Sequence, residues 1–163
     1  MCLNVNIYSR TAFNNTLTGG ELTMADKVFT TSATAVGGRE GQVKSDNGVI
    51  EVQLSMPKGD DIPSDASNPE QLFASGYASC FDGALNLMAS KSKEEIESET
   101  KAEVSLLKDP HDGGFQLGVA LHVSIKGVDQ SKAEELVEKA HEFCPYSKAT
   151  RGNIDVSLHV KAQ

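Results

Sequence analysis

The chain has 163 residues, of which 39% are hydrophobic and 23% are charged, and its formal net charge is −8. This composition is typical of a soluble globular domain. An acidic chain with three arginines and scattered lysines is poorly suited to bind nucleic acid. It contains neither the ~18 consecutive apolar residues of a membrane helix nor the charged and apolar regions of a secretory signal. We therefore expect a cytoplasmic protein without nucleic-acid or membrane partners.

The N-terminal segment differs from the rest of the chain. Its first 24 residues show no sustained hydrophobic period and end in glycines and polar residues. We interpret residues 1–24 as a flexible tail and residues 25–163 as one domain. Met24 is an alternative candidate for the start of the protein, and Cys2 is then irrelevant to its chemistry.

Three strands are predicted before the first helix. Residues 28–36 are rich in Thr and Val, and the runs 41–45 and 49–54 flank Asn47-Gly48. Asn-Gly favours a hairpin with a type I′ turn, because both central residues need positive φ. The polar, acidic residues 57–67 predict a loop.

A long helix is predicted next. Asn68 is a favourable N-cap, Pro69 suits the first helical position, and Gln71 is placed for a capping box. The residues that follow at helical spacing on one apolar face are Leu72, Phe73, Gly76, Tyr77, Cys80, Ala84, Leu87 and Met88. Gly76 and Gly83 each weaken a helix by up to ~1 kcal/mol relative to alanine. They indicate close packing here, for example by the same helix of a second copy.

The C-terminal half predicts two strands, a helix and a last strand. Residues 91–97 are charged and suit a short helical turn, whereas 100–106 and 115–126 alternate as strands do. A second helix begins at Asp129 or Ser131, carries Cys144 on its apolar face and ends at Pro145. Residues 154–160 form the last strand. Because strands cluster rather than alternating with helices, we expect an α+β fold with antiparallel sheet.

Cys80 and Cys144 admit three interpretations. An odd number of cysteines without a signal peptide argues against a secreted disulfide framework. Both can be small buried apolar residues, or they can join His141 in a zinc site, although neither a CxxC motif nor a fourth ligand is evident. The third interpretation is a redox pair.

A redox pair needs a cation beside the nucleophile, because burial alone raises the pKa of a thiol. Arg39 is the candidate cation, since a guanidinium stays charged when desolvated, and Glu70 is the candidate carboxylate to hold it. Glu70 can equally serve to complement the dipole of the helix that it begins.

Three segments carry a family resemblance: GGREG at 37–41, NPEQLFASGYASCF at 68–81 and AHEFCPYSKATRGNIDVSL at 140–158. In this order they resemble signatures of the organic hydroperoxide resistance (Ohr) branch of the OsmC/Ohr superfamily, and the similarity spans about residues 27–161. The run HxxCPYSxATRGN at 141–153 resembles the Ohr rather than the OsmC branch. The resemblance implies an intertwined homodimer, with antiparallel sheets around a long central helix that carries the reactive cysteine.

The resemblance also implies an activity. Cys80 takes the position of the peroxidatic cysteine, Cys144 that of the resolving cysteine, and Arg39 and Glu70 those of the residues beside the reactive thiol. The implied enzyme reduces organic hydroperoxides to alcohols in oxidative stress defence, through a Cys80 sulfenic acid and a Cys80–Cys144 disulfide. It needs no metal or other cofactor, and its implied reductant is dihydrolipoamide or a lipoylated protein.

Substrate contacts are predicted from the helix itself. The apolar side chains of Leu72, Phe73 and Tyr77 favour bulky lipophilic peroxides over hydrogen peroxide. Two alternatives remain: an OsmC-branch peroxidase of different peroxide preference, and a non-catalytic dimeric binding module whose cysteines only pack. The acidic loop 57–67, where a glycine-rich stretch is expected, and the N-terminal extension depart from the family pattern.

The spacing of two candidate residues leads to a further expectation. Glu70 and Cys80 are ten positions apart on one predicted helix, which is roughly 15 Å at 1.5 Å per residue. A side chain does not bridge that distance. We therefore expect Glu70 to serve Cys80 of the other subunit in a homodimer.

Overall fold

The computed structural model describes residues 26–59 and 61–163, so the predicted tail, with Cys2, lies outside the described residues. The chain divides into two units, Met1–Thr31 and Ser32–Gln163. Every helix and strand of the described residues belongs to the second unit. Besides a 3-10 helix at Gly38–Glu40, they are, in chain order, β1 (Ala33–Val36), β2 (Gln42–Ser45), β3 (Glu51–Gln53), α1 (Pro69–Ser92), β4 (Glu97–Lys108), β5 (Phe115–Lys126), α2 (Gln130–Phe143), α3 (Pro145–Thr150) and β6 (Val156–Ala162).

The strands form two three-stranded sheets, ordered β1-β2-β3 and β4-β5-β6. All neighbours are antiparallel except β5 and β6, which run parallel. The predicted α+β class with antiparallel sheet is confirmed, and the second sheet is mixed because β6 runs parallel to β5. The chain leaves β5 at its C-terminal end, crosses back through α2 and α3 and enters β6 beside the start of β5, and such a crossover makes the next strand parallel.

Helix α1 begins as its sequence predicts. The Asn68 side chain accepts a hydrogen bond from the backbone N–H of Gln71 at 2.8 Å. In a complete capping box the Gln71 side chain also accepts a hydrogen bond from the backbone N–H of Asn68. Here the Gln71 side chain accepts a hydrogen bond from Ser67 Oγ at 3.1 Å instead. The helix then continues without a break to Ser92 and ends at Lys93, which has a left-handed φ of 59°. The prediction of a separate helical turn at 91–97 is therefore wrong.

The hairpin between β2 and β3 has a longer turn than predicted. The N–H of Ser45 bonds to the carbonyl of Ile50 at 2.8 Å. Within the turn, Gly48 has a positive φ of 71° but Asn47 does not, so a type I′ turn is excluded. The reason is local: the Asn47 side chain accepts from Ser45 Oγ and from the N–H of Val49, at 2.7 and 3.2 Å, which fixes a different turn.

Pro145 begins a helix as well as following one. Helix α2 starts after Asp129, whose side chain accepts from the N–H of Lys132 at 2.8 Å. It ends at Phe143, and Cys144 is the residue between α2 and α3. The prediction that the helix ends at Pro145 is confirmed. Pro145 also begins α3, since the first turn of a helix does not use the backbone donor that proline lacks.

The hydrophobic core lies between α1, α2 and the inner face of the second sheet. Its largest fully buried side chains are Tyr77, Phe81, Leu85, Leu121, Ile125, Leu136, Val123, Val137 and Cys144. Leu87, predicted on the apolar face of α1, is 40% exposed instead. Across the described ranges, no helix has the length and apolar character to cross a membrane.

The first sheet has little core of its own. Each residue of β1 is exposed, with Val36 at 69%, and Val49 in the turn before β3 is 81% exposed. A three-stranded sheet gains its stability by covering one apolar face. The described chain leaves that face open.

Candidate active site

The two interior cysteines are in contact. Cys80 lies in the middle of α1 and Cys144 at the junction of α2 and α3, 64 positions later, and their Sγ atoms are 3.5 Å apart. Both are free thiols; Cys80 is half-buried and Cys144 fully buried. A disulfide is roughly 2.0 Å long, so closing this bond requires an approach of about 1.5 Å. The two thiols therefore lie within short reach of each other.

The surroundings of Cys80 within the chain disfavour its thiolate. Burial is the largest influence and raises the pKa of the Cys80 thiol above its ordinary value. The backbone N–H of Tyr146 opposes this rise, whereas Cys144 adds to it. Because a thiolate in such a place needs a cation, the electrostatics of the single chain are incomplete for a nucleophile.

Arg39 and Glu70 form a two-pronged ion pair. Arg39 Nη1 and Nη2 donate to the two carboxylate oxygens of Glu70, at 3.0 and 2.8 Å. The Arg39 guanidinium is the main cause that lowers the pKa of Glu70, against a smaller opposing effect of burial. Arg39 Nη1 also lies 3.6 Å from Met56 Sδ. The carboxylate therefore holds the guanidinium in one orientation, as the redox interpretation requires.

This ion pair and the thiols lie on different parts of the chain. Glu70 is in the first turn of α1, and Cys80 is ten residues further along the same unbroken helix, or roughly 15 Å along its axis. A cavity of about 720 Å³ opens beside the ion pair and is lined by both Arg39 and Glu70 but not by Cys80. Within one chain, Cys80 contacts Cys144 and Arg39 contacts Glu70. The ion pair does not reach the two thiols.

The three predicted substrate contacts are in different environments. Phe73 lines the cavity beside the ion pair, together with the apolar side chains of Leu106, Phe115, Leu117 and Ile154. Leu72 is half-buried and is not among the residues that line this cavity. Tyr77 is fully buried, and its hydroxyl bonds to Ser147 Oγ at 2.9 Å and Thr150 Oγ1 at 3.3 Å. Tyr77 therefore links α1 to α3.

Helix α3 contributes a residue that the sequence analysis missed. The backbone N–H of Tyr146 lowers the pKa of Cys80 against the larger effect of burial, and the Tyr146 ring packs against Tyr77 and Phe73, with centroids 5.7 and 6.0 Å apart. Pro145 is the sequence feature that predicts the start of α3, since proline is enriched at the first helical position. The close packing predicted at Gly76 is found within the chain, where Gly76 lies against the ring of Tyr146.

His141 lies one turn before Cys144 and packs against Phe81, with ring centroids 6.4 Å apart. Burial lowers its pKa, and the charge of Arg151 lowers it further. Its Nδ1 atom is buried and has no hydrogen-bond partner among the described residues. In those same residues, no group of three or more His, Cys, Asp or Glu side chains is arranged to hold a metal ion.

Comparison with known proteins identifies the family. A family model described as OsmC-like protein matches residues 59–159, which include both thiols. The chain is also 54% identical over 134 residues to the organic hydroperoxide resistance protein OhrB of Bacillus subtilis, covering 82% of this chain and 98% of that protein. The chain belongs to the Ohr branch of the OsmC family. The family resemblance noted from the three sequence segments is thereby confirmed.

Solved Ohr structures share this fold over nearly their full length. The crystal structure of Bacillus subtilis OhrB superposes on this chain with a TM-score of 0.78 at 52% identity. The superposition covers 83% of this chain and 100% of the OhrB chain. An Ohr protein from Elizabethkingia anophelis superposes with a TM-score of 0.79 at 48% identity, covering 85% and 100%. The described domain thus has the Ohr architecture.

Proposed function

We propose that the protein is a cysteine-based peroxidase that reduces organic hydroperoxides to alcohols in defence against oxidative stress. The observation that carries this proposal is the contact of Cys80 and Cys144 at 3.5 Å in a chain of the Ohr branch. Relatives at about half identity are named for organic hydroperoxide resistance, which supports the substrate class. The cycle needs a reducing compartment, and we place it in the cytoplasm.

In the proposed reaction, only sulfur atoms are oxidised and reduced on the protein. The Cys80 thiolate attacks the terminal oxygen of the hydroperoxide, an S–O bond forms as the O–O bond breaks, and the alkoxide takes a proton and leaves as the alcohol. Cys144 then attacks the Cys80 sulfenic acid, and an S–S bond replaces the S–O bond as water departs. A dithiol, which we propose to be dihydrolipoamide or a lipoylated protein, returns two electrons and two protons.

We propose that Arg39 and Glu70 complete the site of the other subunit in a homodimer. Burial raises the pKa of Cys80, so the thiolate needs a guanidinium, and Arg39 is held ready by Glu70 beside an open cavity. The unbroken α1 keeps Glu70 and Cys80 of one chain roughly 15 Å apart. An antiparallel pair of α1 helices places the start of one near the middle of the other.

The cavity beside the ion pair suggests the preferred peroxide. Its apolar lining of Phe73, Leu106, Phe115, Leu117 and Ile154 suits an alkyl or aryl group better than hydrogen peroxide. We propose that Phe73 contacts the substrate directly and that Leu72 supports this apolar surface. Tyr77, which is fully buried, influences substrate binding by holding α3.

A peroxidase assay tests the proposal. The wild type is expected to reduce cumene hydroperoxide with dihydrolipoamide and to prefer it to hydrogen peroxide, whereas Cys80→Ser should lose activity at least a thousandfold, since the nucleophile is essential. Circular dichroism of the variant provides the control for folding. Retention of most activity by Cys80→Ser would contradict the assignment and favour the non-catalytic binding module. A preference for hydrogen peroxide would favour the OsmC-branch alternative.

A further inference from the structure

Gly76 lies so near Tyr146 that a side chain at position 76 has too little room. A Cβ atom built on Gly76 would lie 2.8 Å from Tyr146 Oη, 3.3 Å from Cζ and 3.4 Å from Cε1. Gly76 has no positive φ and lies inside α1, where alanine is the better helix former. The requirement for glycine at this position is therefore space for the tyrosine ring.

The same contact belongs to a larger attachment of α3 to α1. The Tyr146 ring is tilted against Tyr77 at a centroid distance of 5.7 Å. The buried Tyr77 hydroxyl bonds to Ser147 and Thr150, the third and sixth residues of α3. Gly76 and Tyr77 thus hold the two ends of this short helix on one turn of α1.

The positions of Cys144 Sγ and of the backbone N–H of Tyr146 relative to Cys80 depend on this attachment. Cys80 follows Gly76 by one helical turn, and Cys144 directly precedes α3, with the sulfurs 3.5 Å apart. The backbone N–H of Tyr146 is the influence that counteracts burial at the Cys80 thiol. A shift of α3 by a few tenths of an ångström changes the direction of this N–H and the separation of the sulfurs together.

We propose that Gly76 and Tyr146 are positioning residues, whose contact holds the backbone N–H of Tyr146 on Cys80 Sγ and holds Cys144 Sγ within reach of it. The contact thereby sets how readily Cys80 ionises. Its consequence for peroxide reduction rests on the proposed function, but its consequence for the reactivity of the Cys80 thiol does not.

Alkylation of Cys80 by iodoacetamide, followed by mass spectrometry of its peptide as a function of pH, tests the proposal. Gly76→Ala should move the midpoint of the alkylation profile to higher pH and slow alkylation at neutral pH about tenfold, since the thiolate is the species that reacts. Tyr146→Phe should resemble the wild type, because it keeps the ring and the backbone N–H. An unchanged profile in Gly76→Ala would overturn the proposal.

The double variant Gly76→Ala/Tyr146→Phe provides the matched rescue. It removes Oη, the atom nearest to the new Cβ, and leaves Cζ and Cε1 at 3.3 and 3.4 Å. Alkylation should return to within about twofold of the wild-type rate, as expected when the worst overlap is removed. If the double variant stays as slow as Gly76→Ala, the effect does not pass through this contact and the proposal fails.

A further variant covers the case in which Gly76→Ala does not fold. Tyr146→Ala removes the ring but keeps the backbone N–H, so it should also move the Cys80 profile to higher pH. An unchanged profile in folded Tyr146→Ala overturns the proposal. A wild type without peroxidase activity overturns the proposed function alone, because these alkylation profiles remain measurable.

Discussion

The two thiols differ in exposure, and we expect them to have different roles for that reason. Cys80 is half-buried, so a peroxide can reach it, whereas Cys144 is fully buried with its sulfur against that of Cys80. A residue that attacks substrate must be reachable, but a residue that resolves a sulfenic acid needs only to reach that sulfur. The order of events in the proposed cycle follows from this difference.

Cys144→Ser should uncouple the two steps of the cycle. We expect it to consume one equivalent of cumene hydroperoxide per chain and then to stop, because a sulfenic acid forms at Cys80 but cannot become a disulfide. A sulfenic-acid probe with mass spectrometry should label Cys80. The double variant Cys80→Ser/Cys144→Ser controls for labelling of Cys2. Normal turnover with dihydrolipoamide in Cys144→Ser would show that Cys144 does not resolve.

Arg39→Ala should raise the pKa of Cys80, because the proposed dimer site then lacks its guanidinium. The pH midpoint of alkylation should rise by about one unit or more, as removal of a nearby opposite charge does. Lys44→Ala is the matched control, since it removes a cation from the exposed ion pair with Glu51 in the same sheet. Equal midpoints for Arg39→Ala and the wild type would place Arg39 outside the site.

At the level of elements, α1 and α2 are stabilised differently. Helix α1 is anchored by the buried side chains of Tyr77, Phe81 and Leu85, and its Asp82 accepts hydrogen bonds from Ser98 and Thr100 of β4. Helix α2 carries a run of alternating charges on its exposed side. Lys132 and Lys139 both bond to Glu135, at spacings of three and four residues. Such exposed pairs add modest stability that depends on pH and salt.

The stability that the Glu135 ion pairs contribute depends on pH. Hydrogen bonds from Lys132, which has the larger effect, and from Lys139 lower the pKa of Glu135 to about 2. The pKa of a glutamate in an unfolded chain is roughly 4.3. A pKa that is lower in the folded state gives stability that is present above about pH 4.3 and is lost as pH falls toward 2. Glu135→Gln should therefore melt below the wild type at neutral pH, and the difference should disappear toward pH 2.

Thermal unfolding across this pH range measures the effect. Glu138→Gln is the control, since it makes the same change of charge on the same helix, and Glu138 has no ion pair among the described residues. A melting difference for Glu135→Gln that persists unchanged to pH 2 would attribute the effect to something other than these ion pairs.

At the scale of the whole molecule, apolar surface of the described residues is left without a cover. Val36, Val49 and Phe115 are 69%, 81% and 69% exposed, and the first sheet has no buried face of its own. Exposed apolar surface of this kind marks an interaction site. The proposed homodimer covers it with a second copy of the chain, which also brings the ion pair of one subunit to the thiols of the other.

Subunit mixing tests this arrangement. Cys80→Ser and Glu70→Ala should each be inactive or weak alone. After subunit exchange, half of the dimers are mixed, and each mixed dimer has one site with both residues intact, so about a quarter of all sites should recover. Mixing Cys80→Ser with Cys80→Ser/Glu70→Ala is the control and should recover nothing. Absence of recovery after verified exchange would remove Glu70 from the site of the other subunit.

The sequence by itself determined the features that depend on neighbouring residues. Asn68 and Pro69 fix the start of α1 through a capping bond, and the alternation of 115–126 gives β5 its observed bounds. The long helix with Cys80 at its centre was predictable for the same reason. Caps and periodicity act over a few residues, so they can be read without the fold. The family segments added the candidate site residues by resemblance.

Only the tertiary structure decided which distant residues meet. The 3.5 Å contact of Cys80 and Cys144 joins positions 64 apart, and the close packing of Tyr146 on Gly76 has no local signature beyond an unexplained helical glycine. The parallel direction of β6 likewise follows from the route of α2 and α3, not from the residues of the strand. Such contacts depend on how all the elements pack together, and no short segment of sequence contains that information.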